Sequence, residues 1–428
     1  MALTVMVITF TLLLLLGVPV IFSIGLCSLA TVLVAGLPMG VVFQKMVGGM
    51  QVFSFLAIPF FIFAGELMLH GGIADKIVNF ARASVGHVRG GLGMANVVAC
   101  TLFGGISGSA GADVSAMGSV LIPTMKKEGY DTDYAVNVTT HAALVGVLTP
   151  TSLNIIIFTL AAGGKVSVMD LILAAVVPAI ILTMCNLGAA YWVAIKRGYP
   201  KGSWNGWDIV FKTFGAAAPG LFVIVLILGG ILSGVFTATE SASIAVLYSL
   251  VLTAFVYRSL SWEKFVESCA KSVKTTGVVL ALIGISATFG YFLAYFSVPD
   301  LVGTWMASVS SSPWVIFLLV NIALFVLGTF LDMAPTILIC TPIFMPICMK
   351  FGMEPMQFAN VMLLNCALGL NTPPVGTTQF IGCAIGGISV GEVMKSILPF
   401  YGSLIVATLL ITYVPALSLW LPHLVHGM

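Results

Sequence analysis

Two clusters of oxygen-bearing residues sit inside stretches that are otherwise almost wholly apolar. The first offers Ser107, Ser109, Gly146, Thr149 and Thr151; the second offers Gly328, Thr329, Gly369, Asn371 and Thr372. Hydroxyls, an amide and bare backbone carbonyls are oxygen ligands of the kind a hard cation such as sodium prefers. Asp113 and Asp332 add one carboxylate to each neighbourhood. Two compatible readings stand for them: holding an ion or a coupled proton, and capping a helix N-terminus. Where a helix breaks, its second half presents free N–H groups and partial positive charge, which suit a carboxylate. Asn154 and Thr377 occupy equivalent places just after two such breaks. With Ser109, Pro150 and Pro373 they are the candidates to face an organic substrate. His141, in an apolar stretch, reads as a hydrogen-bonded structural residue or as a proton relay. Glu240 follows Thr237 at capping-box spacing, and Glu66 is expected to reach the membrane interface. The plain alternative for the small polar residues is that they let helices pack closely.

The two clusters are in register. Shifted by 223 positions, Gly105 falls on Gly328, Pro123 on Pro346, Asn137 on Asn360, Gly146 on Gly369, and Thr149-Pro150 on Thr372-Pro373. These matches sit on the Gly and Pro positions that break helices, the mark of an internal repeat. In a bilayer, broken backbone survives only inside protein or beside a polar cavity, because unpaired N–H and C=O groups are costly there. Paired interruptions in two halves therefore point to the ion and substrate site of a transporter.

The elements that hold these clusters must be membrane helices. The chain has 428 residues, 60% hydrophobic and only 7% charged, against roughly 25% charged in a soluble domain. A net charge of +2 gives nucleic-acid binding no support. The eight cysteines show no CxxC spacing and read as buried free thiols. No GxxxxGK[ST] loop is present to bind ATP. Residues 2–36 lack a cationic leader and their apolar run is too long for a signal peptide.

Taken in order, residues 2–36 are one long kinked span or two short ones, 40–52 an interfacial segment, and 53–70 a span followed by a charged loop. Residues 92–106 and 113–126 are each too short to cross ~30 Å of hydrocarbon. They read as a re-entrant hairpin with SGSAGA at its tip. Residues 133–163 form a span broken at Thr149-Pro150-Thr151, and 168–195 span back. Residues 196–213 form a surface loop with Trp204 and Trp207. Spans follow at 214–233, 240–258 and 276–296, with an amphipathic surface stretch at 259–275. A second hairpin covers 314–349, a second broken span 356–387, and a last span 392–420. Five crossings separate the two copies, so they are inverted. On this layout 14 of the 17 Lys and Arg fall on one side and only Lys45, Lys165 and Lys350 on the other. That bias marks the first side as cytoplasmic. The predicted fold is thus an all-α polytopic membrane protein with an inverted repeat, 1–195 and 214–428, each half carrying one hairpin and one broken helix.

Several stretches carry a family resemblance: FFIFAGELMLHGGIADKIVNFA (60–81), VGHVRGGLGMANV (85–97), FGGISGSAGADVSAMGSVLIPTMKKEGYD (103–131), GVFTATESASIA (234–245) and LGLNTPPVGTTQF (368–380). They resemble the large membrane subunit of tripartite ATP-independent periplasmic (TRAP) transporters over nearly the whole chain. The resemblance implies sodium-coupled uptake of an organic acid, such as a sialic acid or a C4-dicarboxylate, across the bacterial inner membrane. It implies two partners, a periplasmic solute-binding protein and a separate small membrane subunit of about four helices. It also implies an elevator, in which hairpins and broken helices move as a transport domain against a scaffold. The first break usually reads Pro-Pro-Ser in that family; here it is Pro150-Thr151-Ser152.

Competing classes are a proton-coupled transporter of the same fold, a passive channel, and an intramembrane hydrolase using Asp113 with Asp332 or a serine with His141. The absence of GxSxG and HExxH motifs counts against the hydrolase.

Overall fold

The structure, a computed structural model, describes residues 1–204 and 206–426. Asn205, within the expected surface loop, and the last two residues of the second half lie outside the described residues. Among those described, the only strand-like feature is one antiparallel bridge between Arg89 and Lys201; everything else that is regular is helical.

Helices α1 (Ala2–Leu15) and α2 (Val20–Ala35) are separated by Gly17, at φ +76°, and Pro19. They pack along each other, so residues 2–36 form two short helices and not one long span. Next come α3 (Gly40–Met50), α4 (Ala57–His70) and α5 (Ile73–Val85). The charged loop expected after residue 70 is in fact α5, bent 71° from α4. Ile73, Ile77, Val78 and Ala81 are buried on one face of it, which leaves the charges outside.

The first hairpin is α6 (Gly91–Ser107) and α7 (Ala110–Lys127), turning at Gly108 with φ +63°. The first broken helix is α8 (Thr132–Ala143), continued by a tight turn over Leu144–Leu148, then α9 (Leu153–Ala161) at a 51° bend. Helix α10 (Val168–Lys196) follows. Helix α11 (Trp207–Leu232) begins inside the expected surface loop, and α12 (Ala238–Val251) starts from the capping box formed by Thr237 and Glu240. Helix α13 (Trp262–Tyr295) runs unbroken for 34 residues. The stretch 259–275 is therefore mostly the polar end of a long span; its charges reflect a helix that outruns the bilayer. After α14 (Val298–Val309) come the second hairpin, α15 (Pro313–Phe330) and α16 (Met333–Lys350), and the second broken helix, α17 (Pro355–Leu370) and α18 (Thr377–Gly386). The last segment is α19 (Val390–Met394), α20 (Leu398–Tyr413) and α21 (Ala416–His426). The final span is thus broken too, with a 57° bend after Tyr413.

By length and composition, six of the described helices can cross a membrane, or up to nine if each bent pair counts as one span. Both ends of α7 lie 223 residues before those of α16, and the start of α8 lies 223 before that of α17. The halves interlock: α7 and α8 pack against α18, α9 against α16, and α10 against α17 and α20. Polar side chains stitch the seam. Asn137 Nδ2 donates to the Val393 carbonyl (3.1 Å), Asn360 Nδ2 to the Ala174 carbonyl (2.9 Å) and Thr140 to Gln379 Oε1 (3.1 Å). Around this core, α6 leans on α4 and α11, and α16 on α13 and α14. At the end marked cytoplasmic, Arg197 pairs with Asp131 (2.9 Å) and Asp133 (2.7 Å). The Tyr199 hydroxyl donates to Asp131 Oδ2 at 2.7 Å. Burial, with that bond to Asp131, pushes the Tyr199 hydroxyl up to about 12. All eight cysteines are free.

Candidate functional site

One cavity of about 370 Å³ gathers both hairpin tips and both helix breaks. Ser107 to Ala112 enter from the first tip and Asp332 to Ala334 from the second. Thr151, Leu153 and Asn154 come from the first break, Leu370, Thr377 and Thr378 from the second, and α4 and α13 complete the wall. Equivalent residues of the two halves are more than two hundred positions apart in sequence, and only the interlocked packing brings them together.

The helix ends explain what the cavity favours. Helices α7, α9, α16 and α18 all begin at its wall. Each N-terminus leaves N–H groups without an intrahelical acceptor and carries partial positive charge. Two are capped from within: Ser109 Oγ accepts from Ala112 N at 3.5 Å, and Asp332 Oδ1 from Met333 N at 2.9 Å. The other two, α9 and α18, have no side-chain cap. Asn154 and Thr377 stand in those uncapped first turns, half-buried and lining the cavity.

The opposite helix ends, rich in carbonyl oxygen, lie behind the cavity. In the first half, Thr149 Oγ1 donates to the carbonyls of Gly104 (2.8 Å) and Gly146 (2.7 Å), and Thr151 Oγ1 to that of Gly105 (3.2 Å). Asp113 is fully buried beside them, and Ser107 Oγ donates to its Oδ1. Its Oδ2 has no hydrogen-bond partner. Gly104 and Gly146 press on that oxygen: a methyl group on either would sit 2.8 Å or 2.5 Å from it, respectively. A buried carboxylate oxygen left without a donor is costly and calls for a cation or a proton. The oxygen set around it fits a hard cation.

In the second half, Thr378 Oγ1 donates to Asn371 Oδ1 (2.5 Å) and to the Leu370 carbonyl (2.7 Å). The Tyr401 hydroxyl reaches the Asn371 carbonyl at 2.8 Å and Thr372 Oγ1 at 3.0 Å. The Gly328 carbonyl leaves no room for a methyl on Gly369, and Thr329 bonds back to Val326 (2.7 Å). Asn371 Nδ2 has no partner. Asp332 differs from Asp113: it is exposed, lines the cavity and caps α16. Position 336, in register with Asp113, holds Thr336, which donates to the Asp332 carbonyl at 2.8 Å. The two aspartates are therefore not repeat mates.

Of the expected substrate residues, Ser109, Asn154 and Thr377 line the cavity, whereas Pro150 and Pro373 do not. These prolines interrupt the helices and leave the contacts to the residues after the breaks. Glu66, expected at the membrane interface, lines the cavity and pairs with Lys271 at 3.0 Å. Thr275 and Thr378 also line it; Thr378 had a signal, its place beside Thr377, and Thr275 had none. His141 is buried, its Nδ1 2.9 Å from the Asn137 carbonyl, while Nε2 has no partner. Among the described residues no cluster of three His, Cys, Asp or Glu side chains is placed to hold a metal ion.

The profile of the family described as "Tripartite ATP-independent periplasmic transporter, DctM component" matches residues 7–417. Uncharacterized protein YgiK of Salmonella typhimurium is 42% identical over 97% of this chain and 96% of its own length. The C4-dicarboxylate TRAP transporter large permease protein DctM of Rhodobacter capsulatus is 33% identical over 96% and 97%. The sialic acid TRAP transporter large permease protein SiaM of Vibrio cholerae is 34% identical over 96% of each chain. Among solved structures, the Alcanivorax borkumensis YdaH transporter superposes with a TM-score of 0.63 at 13% identity, over 86% of this chain and 87% of that one. That last likeness is one of fold.

Proposed function

The chain belongs to the DctM-component family of tripartite ATP-independent periplasmic transporters, non-enzymatic multi-pass permeases of the bacterial inner membrane, and on that premise we propose that it imports an organic acid by sodium symport. The observation that carries this reading is the convergence of four helix N-termini on one cavity, two of them uncapped and fronted by Asn154 and Thr377. Such ends attract a carboxylate. Relatives named for C4-dicarboxylates and for sialic acid support the substrate class, since both solutes carry carboxylates. Ser109 is the third substrate contact.

Sodium is the coupling ion. In the first half Ser107, Asp113, Gly146, Thr149 and Thr151 hold it, and the unpartnered Asp113 oxygen supports this assignment. In the second half Gly328, Thr329, Asp332, Gly369, Asn371 and Thr372 form the corresponding set. Cation sites behind an anion cavity favour joint occupancy, because each charge lowers the cost of the other. Residues 1–195 and 214–428 are inverted repeats whose hairpins enter from opposite faces, which accounts for two tips meeting in one cavity. The hairpins and broken helices move together as an elevator against α3, α4 and α13. A tripartite system supplies the partners: a small membrane subunit and a periplasmic binding protein that delivers the acid.

The test is uptake into proteoliposomes holding this chain and its small subunit, with loaded binding protein outside and with or without an inward sodium gradient. The proposal expects uptake only when both are present. Uptake that needs the binding protein but not sodium would replace symport with proton coupling through Asp113, Asp332 or the free Nε2 of His141.

A further inference from the structure

A polar seam leaves the cavity between α4 and α13. On α13, Glu267, Lys271, Thr275 and Val279 follow at one-turn spacing and share a face; the last two line the cavity. On α4, Glu66 lines the cavity and His70 lies one turn beyond it. Two rungs cross the seam. Lys271 Nζ meets Glu66 Oε2 at 3.0 Å, and His70 Nε2 meets Glu267 Oε2 at 3.8 Å. Ser268 Oγ lies 3.3 Å from His70 Nδ1. The seam runs toward the end that the Lys and Arg bias marks as cytoplasmic. Exposure grades along the first rung: the Glu66 side chain is 13% exposed and that of Lys271 50%. The carboxylate is the buried end of the pair, on the cavity wall, and the ammonium its exposed end.

The charges that line the cavity are Glu66 and Asp332, both acidic. An acid leaving the helix N-termini along this seam is repelled by Glu66 and meets Lys271 as the first cation on its path. We propose that Lys271 is an anion-receiving station at the cytoplasmic mouth and that Glu66 is its displaceable counter-ion. The carboxylate of the departing solute takes Glu66's place on Lys271, and Glu66 re-pairs once the acid is released. Re-pairing opposes return, because cytoplasmic acid must compete with a tethered carboxylate. This inference rests on the reading of the solute as an organic acid.

The test uses the complete transporter in proteoliposomes, with radiolabelled succinate and sialic acid as probes. Lys271→Gln should lower the maximal uptake rate about fivefold or more while leaving the half-saturating concentration of loaded binding protein unchanged. Glu66→Gln, which leaves Lys271 unopposed, should make acid inside the vesicle a stronger inhibitor, by about fivefold in concentration. The exchanged pair Glu66→Lys with Lys271→Glu would rescue a merely structural bond, and it should stay slow. Wild-type rate and inhibition in the single variants, or full rescue by the exchange, would overturn the proposal while leaving acid transport standing. Import of neither acid by the unaltered transporter would overturn the organic-acid reading and the station with it.

Discussion

A methyl group on Gly146 would lie 2.5 Å from Asp113 Oδ2 and 3.3 Å from Gly104 Cα. Gly104 Cα is backbone, and the Asp113 side chain is fully buried and held by Ser107, so Gly146→Ala acts on the carboxylate itself. The expected outcome is a rise of about tenfold in the sodium concentration that half-activates uptake, worth about 1.4 kcal/mol of ion binding. A sodium titration of uptake checks it. At this scale the sequence was readable in part. Ser107, Thr149, Thr151 and Asp113 stood out as polar residues in apolar runs, and Gly146 through its repeat mate Gly369. The carbonyls of Gly104 and Gly105 did not, because every residue carries a carbonyl and only the fold decides which ones converge. Asp113 and Asp332 looked alike in sequence, yet one is buried against an oxygen cluster and the other is an exposed cap. The place of Glu66 on the cavity wall was not legible, because its partner, Lys271, is distant in sequence and arrives on another helix.

Helices and their breaks were the most legible level. Gly108-Ser109 and Leu331-Asp332 interrupt the two hairpins, and Thr149-Pro150 and Thr372-Pro373 the two broken helices, at matching positions, and apolar runs between them leave no other reading in a bilayer. The errors share a cause. Helix α5 and the first turns of α13 carry charge at helical spacing, which reads as loop or surface when only hydropathy is followed; burial of one face shows otherwise. The clasp at the end that the Lys and Arg bias marks as cytoplasmic also works at this scale. Arg197 is held bidentately by Asp133 at 2.8 Å and 2.7 Å, and Tyr199 closes the group onto Asp131. Because burial raises the Tyr199 hydroxyl from its usual value of 10 to about 12, its contribution is fully present below pH 10 and is lost as pH rises through about 12. Tyr199→Phe should therefore flatten the alkaline limb of a stability profile for the solubilised protein, read by thermal unfolding between pH 8 and pH 12. An unchanged limb would mean that Tyr199 ionises in the folded state as it does in the unfolded chain.

For the whole molecule, helix ends are sorted by polarity. N-termini meet at the cavity, where an acid would sit, and carbonyl-rich ends cluster just behind it around Asp113. Neither half can build this alone, since each lends its α9 or α18 to a wall completed by the other half's hairpin. On the proposed reading, a cation behind the cavity is held by the unpartnered oxygen of Asp113 and drives uptake. The direct measurement is the sodium dependence of acid uptake by Asp113→Asn beside the unaltered transporter, at saturating loaded binding protein. The expected result is a half-activating sodium concentration raised by about tenfold or more, with uptake recovered at high sodium. Superimposable sodium curves would contradict it and remove Asp113 from the coupling site.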